Sequence, residues 1–193
     1  MGLNISTGGG EDFAPYVKYN AKAGRWYVKK DEGEVEVINP AFVADFDNIK
    51  TGWFHFAAGL APSIVYDPDL STPAPKPSEN HKKGFELSVF SQNTFGGVVV
   101  FSSTSGIVGS AINEMYEQYE RERDANKGSL PVIQCNGVTP EVGKHGTNYK
   151  PNLSILKWVP RPADLGAPKG NISNAPIQTG PAQAAPASSV SEF

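Results

Sequence analysis

The sequence holds one cysteine, Cys135, two methionines and three histidines in 193 residues. A lone cysteine excludes an intramolecular disulfide and a multi-thiolate metal site, and fits a reducing compartment. Long apolar runs are also missing: no stretch approaches the roughly 18 residues needed to span a bilayer. The first residues, MGLNISTGGGEDFAPY, have no basic stretch followed by an apolar run, so no secretory leader, no membrane and a cytoplasmic location are expected. Charge of one sign is scarce as well. The formal net charge is −3, which excludes a polycation that coats anions indiscriminately and leaves local clustering as the route to anion binding.

Motifs that carry catalysis are equally thin. His55, His81 and His145 lie in three separate segments with no HxH, HExxH or CxxC neighbour. Cys135 and His145 lack the surroundings of a nucleophile pair. Gly8-Gly9-Gly10 runs into Glu11-Asp12 rather than Lys-Ser/Thr, so it reads as part of an arm and not as a phosphate-cradling loop. On a strand, Asp45 and Asp47 would share one face and could meet a hard cation, yet a bare DxD lacks the further oxygens such a cation needs. A solvated strand end is the simpler reading. No catalytic residue, metal ligand or cofactor is assigned, and a non-catalytic protein is expected.

Glycine and proline, in contrast, are plentiful, with 20 and 16 residues, which implies many turns and a part of the chain outside the core. The pattern divides into a flexible arm over 1–15, a folded domain over 16–162 and a tail over 163–193. That tail is aromatic-free until Phe193 and too poor in apolar residues to offset its ordering entropy. Tyr66 to Pro77 is Pro-rich and predicts an exposed loop that continues to Lys83.

Strand-like runs are predicted at Arg25–Lys30, Glu34–Ile38, Phe42–Phe46, Thr51–Ala58, Phe85–Ser91, Val98–Ser102, Leu130–Cys135 and Leu153–Val159, with Asp31-Glu32-Gly33 as a hairpin loop. Ile107, Val108, Ala111, Ile112, Met115, Tyr116 and Tyr119 recur at spacings of three and four, predicting one amphipathic helix that stops near Gly128. The expected fold is mainly β, an OB-like β-barrel with one amphipathic α-helix and a disordered C-terminal tail.

The strongest functional signal lies between Phe13 and Lys30, where no acidic residue interrupts Tyr16, Lys18, Tyr19, Lys22, Arg25, Trp26, Tyr27, Lys29 and Lys30. A flexible single strand offers a phosphate and an unstacked base per nucleotide, so its groove needs cations beside flat rings. Alternation puts Arg25, Tyr27 and Lys29 on one face, opposite Trp26 and Val28, which read as core. The pattern recurs at Lys50, Trp53 and His55, with Phe54 and Phe56 assigned to the core, and Lys82 and Lys83 add loop cations. The nucleic-acid-binding candidates are therefore Tyr16, Lys18, Tyr19, Lys22, Arg25, Tyr27, Lys29, Lys50, Trp53, His55, Lys82 and Lys83. Ordinary solvated strands compete for the same residues.

With its basic-aromatic first strands, its Lys50-Thr51-Gly52-Trp53-Phe54 segment leading to Gly59 and Pro62, and its closing PNLSILKWVPRP strand at 151–162, the chain resembles the OB-fold single-stranded-DNA-binding proteins of tailed phages. The resemblance is one of pattern across Tyr16 to Pro162. It implies coating and protection of single-stranded DNA during replication and recombination in the host cytoplasm. It also implies recruitment of replication or recombination proteins through a tail whose tip is Glu192 and Phe193. The tail departs from the family pattern in carrying no acid between Asp164 and Glu192. Self-association into a homo-oligomer stays open. Two other classes compete: a β-rich phage structural or assembly protein, and a metal-dependent nuclease built on Asp45 or Asp47.

Overall fold

A computed structural model describes residues 14–169. Ten strands form one sheet: β1 (Tyr16–Asn20), β2 (Arg25–Lys30), β3 (Gly33–Val37), β4 (Ala41–Ala44), β5 (Lys50–His55), β6 (Ser63–Tyr66), β7 (Lys82–Ser91), β8 (Gly97–Ser103), β9 (Ser129–Gly143) and β10 (Gly146–Pro160). A single α-helix, α1 (Gly106–Glu122), sits between β8 and β9, and three short 3-10 turns complete the described residues.

The sheet is organised around β7. One edge of β7 pairs with β8 from Phe85 to Ser91, while the other pairs first with β5, through Lys82–Glu86, and then with β4, through Val89 and Phe90. A 3-10 turn at Phe46–Asn48 separates β4 from β5 and lets the chain change its pairing. The full order is β10-β9-β4-β7-β8-β1-β2-β3, with β5 and β6 branching from β7. All ladders are antiparallel except the β1–β8 pair. The sheet is not closed: no ladder joins β10 to β3, and the β1–β2 turn meets β10 through the hydrogen bond from Tyr149 N to Ala21 O (2.7 Å).

The mainly-β, one-helix expectation therefore stands. β2 matches its predicted bounds, and the loop after it is the expected hairpin, with Lys30 opposite Gly33. β1 and β6 were not predicted. β9 and β10 run far past their apolar cores into a long two-stranded arm, because backbone pairing continues where side-chain hydrophobicity has stopped. Gly52 stands opposite Gly84 in the β5–β7 ladder. A Cβ on either would lie 2.5 Å from a carbonyl oxygen, of Val65 and Ser103 respectively, so this tightly coiled crossing requires glycine.

Inward-facing residues of the strands and one face of α1 enclose a common core. Trp26 is its hub, with ring centroids 5.0 Å from Tyr19, 5.1 Å from Phe101 and 6.0 Å from Phe42, and its Nε1–H donates to Cys135 Sγ at 3.3 Å. The predicted helix face is buried at Val108, Ala111, Ile112, Met115 and Tyr119. Each such aliphatic or aromatic burial stabilises by about 1.5–3 kcal/mol. α1 is tied to β10 by stacking of Tyr119 on Trp158, 5.8 Å between centroids, and by Trp158 Nε1 donating to Glu122 at 3.1 Å.

Residues 163–169, grouped with the tail from sequence, begin with a 3-10 turn at Ala163–Leu165 and fold back onto the domain. Arg161 Nε donates to Gly166 O (2.6 Å), and Lys169 N donates to Asn48 Oδ1 (2.6 Å). The remainder of the predicted tail and residues 1–13 of the predicted arm lie outside the described residues. No helix among the described residues is long and apolar enough to cross a membrane.

Candidate nucleic-acid interface

Strand alternation sends Phe85, Leu87, Val89, Val99 and Phe101 into the core and leaves Glu86, Ser88, Val98, Val100 and Ser102 on the opposite, outward face of β7 and β8. This outward face is the floor of a cleft of about 1200 Å³. One wall comes from β1 and β2 and carries Tyr16, Lys18, Lys29 and Lys30; the other, from the β5–β6 hairpin, carries Phe56, Leu60, Pro62 and Ile64. Phe56 and Leu60 are 50% and 71% exposed. Phe56, Leu60, Pro62 and Ile64 thus form an apolar patch across the cleft from the lysines, the kind of exposed surface that marks an interaction site.

The wall of cations is partly neutralised. Lys18 Nζ pairs with Glu34 at 2.5 Å and Arg25 with Glu36 at 3.0 Å, all four side chains being well exposed. The Lys18 hydrogen bond holds the Glu34 carboxyl below its ordinary range. Tyr16 Oη donates to the same carboxylate at 3.3 Å, and its phenol is pushed up by burial and by Glu34. Exposed pairs of this kind contribute only about 0–1 kcal/mol, so a phosphate can displace the glutamate at small cost. Lys30 makes no ion pair among the described residues.

Three of the twelve candidates, Tyr16, Lys18 and Lys29, line the cleft. Tyr27 and Arg25 share the outward face just beyond it, Tyr27 beneath the Lys18 ammonium, which lies 5.7 Å from the ring centroid. Lys50 stands at the far side of the floor, 3.7 Å from Glu86 and 4.8 Å from the Tyr66 ring centroid. Lys82 is exposed opposite Phe54 in the β5–β7 ladder.

The others lie outside the cleft, and one of them is overturned. Tyr19 is core, not a stacking platform: it alternates with Lys18 and so points inward with Val17, its hydroxyl donating to Tyr149 O at 2.8 Å. Burial raises its phenol to about 12. Lys22 points to the other end of the β1–β2 hairpin, where it meets His145 O at 3.2 Å. Trp53 lies beneath the Pro-rich segment and donates to Ala74 O at 2.7 Å, with the Lys83 and Lys76 ammonium groups 5.3 and 5.8 Å from its ring centroid. His55 packs against His81, whose nitrogens meet Ser63 and Ser78 hydroxyls.

Lys83 is bound to Asp67, a buried carboxylate that also accepts from Thr51 Oγ1 (2.5 Å) and Ala74 N (2.8 Å). Burial pushes this carboxyl up, but the bonds from Lys83, Thr51 and Ala74 outweigh it and hold it below its ordinary range. The predicted exposed loop is therefore a strap fastened over Trp53 and Asp67. Glu192 and Phe193 lie outside the described residues.

Phe56 was assigned to the core and is instead the most open ring of the cleft. Its signal was the Ala-Ala-Gly-Leu-Ala-Pro segment that follows it, which places it at a hairpin tip where nothing can bury it. Phe54, read correctly as buried, is covered on the outward face by Phe56, 5.9 Å away and stacked, and by Tyr66 at 6.2 Å.

The Asp45–Asp47 pair is occupied from within the chain. Arg161 donates to both oxygens of buried Asp45, at 2.8 and 2.7 Å, and to Asp47 at 3.2 Å, while Tyr119 Oη donates to Asp47. Their lone pairs serve a guanidinium in this arrangement. Among the described residues no group of three His, Cys, Asp or Glu side chains could hold a metal ion. Cys135 is buried, its thiol pushed up by burial, and His145 is exposed at the tip of the β9–β10 arm. Compared with protein-family models, curated proteins and solved structures, the chain matches none.

Proposed function

We propose that this chain is a non-catalytic single-stranded-DNA-binding protein, of the kind tailed phages encode, that coats and protects unpaired DNA in replication and recombination. The observation that carries this reading is the cleft on the outward face of β7 and β8, with Tyr16, Lys18, Lys29 and Lys30 on one wall and the open Phe56 ring on the other. A wall of cations with one ring among them, facing an apolar wall with one open ring, suits a chain that offers both phosphates and unstacked bases. The scaffold is read as an OB-like barrel left partly open. Supporting this, β4 joins β7 to β9 across the intervening β8 and α1, and the outer face of two adjacent strands is where OB folds take oligonucleotides. Recruitment of replication or recombination proteins through Glu192 and Phe193 belongs to the same proposal.

Titration with single- and double-stranded oligonucleotides at two salt concentrations tests it. Tight binding of the single strand that weakens with salt, and much weaker binding of the duplex, is expected. Equal binding of both forms, or of neither, contradicts it. A structural or assembly role draws on the open β3 edge, where Val35, and Ile38 just past the strand's end, are 51% and 81% exposed. Stable high-order oligomers indifferent to oligonucleotide would favour that role.

A further inference from the structure

The cleft floor contains one group that a general phosphate groove would not need. Glu86 stands on β7 between Ser102 of β8 and Lys50 of β5 in the ladder, and its carboxylate lines the cleft. Tyr66 Oη donates to Glu86 Oε2 at 2.8 Å, fixing the carboxylate's orientation. The phenol stays a donor, because burial and Glu86 itself push its pKa far up. The second oxygen, Oε1, has Lys50 Nζ at 3.7 Å, beyond hydrogen-bond reach, and accepts no hydrogen bond among the described residues. The floor thus presents an oriented carboxylate whose second oxygen accepts no hydrogen bond among the described residues and is held only by the 3.7 Å ion pair with Lys50.

An ionised carboxylate accepts hydrogen bonds and donates none. It repels phosphate, and β7 lies two strand spacings, about 10 Å, from the Lys18 wall on β1, so a strand held by its phosphates along that wall turns its bases toward Glu86. An amino group on a base edge satisfies this second oxygen, as in the acceptance of the cytosine N4 amine by Glu or Asp. A carbonyl at the same position of the base faces the carboxylate lone pairs and is rejected.

We infer that Glu86 is a base-reading residue, giving the cleft a preference for bases that carry an exocyclic amine, cytosine above all, over uracil or thymine. This inference rests on the single-strand reading of the cleft and adds a specificity to it.

The test compares oligo-dC with oligo-dU of equal length by fluorescence anisotropy at neutral pH, since the two differ at the base edge and in no thymine methyl. The wild-type protein should bind oligo-dC roughly tenfold tighter, the size of one charge-assisted hydrogen bond. Glu86→Gln, which can still accept from Tyr66 but can also donate to a carbonyl, should bring the ratio close to one mainly by strengthening oligo-dU. Equal wild-type affinities for the two oligomers overturn the inference while leaving the single-strand reading intact. A preference unchanged in Glu86→Gln overturns it in the same way. Failure of both oligomers to bind removes the reading on which it rests. Should Glu86→Gln not fold, the wild-type comparison alone decides.

Discussion

Two sets of ion pairs in this molecule use the same residue types for opposite ends. Arg161 with Asp45 and Asp47 is buried and bidentate, further bonded by Tyr119, and it locks the end of β10 to the turn after β4. Lys18 with Glu34 and Arg25 with Glu36 are exposed, on strands at the sheet margin. In the first set Asp45 is 1% exposed and has no water to return to, so loss of its Arg161 partner is costly. In the second, water or a phosphate can replace either partner. Burial alone separates a structural clamp from an exchangeable wall.

The comparison breaks if Arg161→Ala is tolerated. That change strands the Asp45 charge and should cost about 3–5 kcal/mol, lowering the melting temperature by about 10 °C; below the transition, affinity for oligonucleotide should match wild type. Phe56→Ala should do the reverse. With about 1–3 kcal/mol per stacked base, oligo-dT affinity should fall on the order of tenfold in an anisotropy titration, with a smaller shift of the thermal melt than Arg161→Ala, from uncovering Phe54. Trp53→Phe, beneath the strap and outside the cleft, should leave affinity as it was.

The strap adds a pH dependence. Because the Asp67 carboxyl titrates below its unfolded value, its contribution is present above the usual aspartate range and is lost as pH falls through the depressed folded value. Asp67→Asn should remove that acid-sensitive part and cost about 1–3 kcal/mol at neutral pH, read from melts at several pH values. Smaller still, Lys18→Ala, Lys29→Ala or Lys30→Ala should each reduce the slope of log affinity against log salt by about 0.7, and stability should stay within about 0.5 kcal/mol. The smallest effect is expected of Glu34→Gln, which frees Lys18 and should raise affinity by about twofold in low salt.

What could be read beforehand follows the same division between local and distant causes. The Arg25–Lys30 alternation and the Ile107–Tyr119 spacing are local patterns, and both the strand faces and the helix face follow them. The same alternation in Tyr16–Asn20 turns Tyr19 inward, a signal masked by treating every tyrosine near lysines as a platform. Trp53 was illegible for another reason: its partner is the Ala74 carbonyl, 21 residues away across a Pro-rich loop, and no periodicity encodes that contact. The Arg161 clamp spans 116 residues to Asp45, and a DxD gives no hint of which cation it will find. The cleft itself arises from β7 exchanging partners between β5 and β4, a tertiary event. Its lysines were legible, but its second wall was not.

The most direct measurement is photo-crosslinking of a 5-iodouracil-substituted oligonucleotide, mapped by mass spectrometry. Crosslinks should fall on peptides containing Tyr16 and Phe56, which line the two walls of the cleft. Crosslinks confined to the β9–β10 arm or to the strap over Trp53 would contradict the assignment of this cleft to unpaired nucleotides.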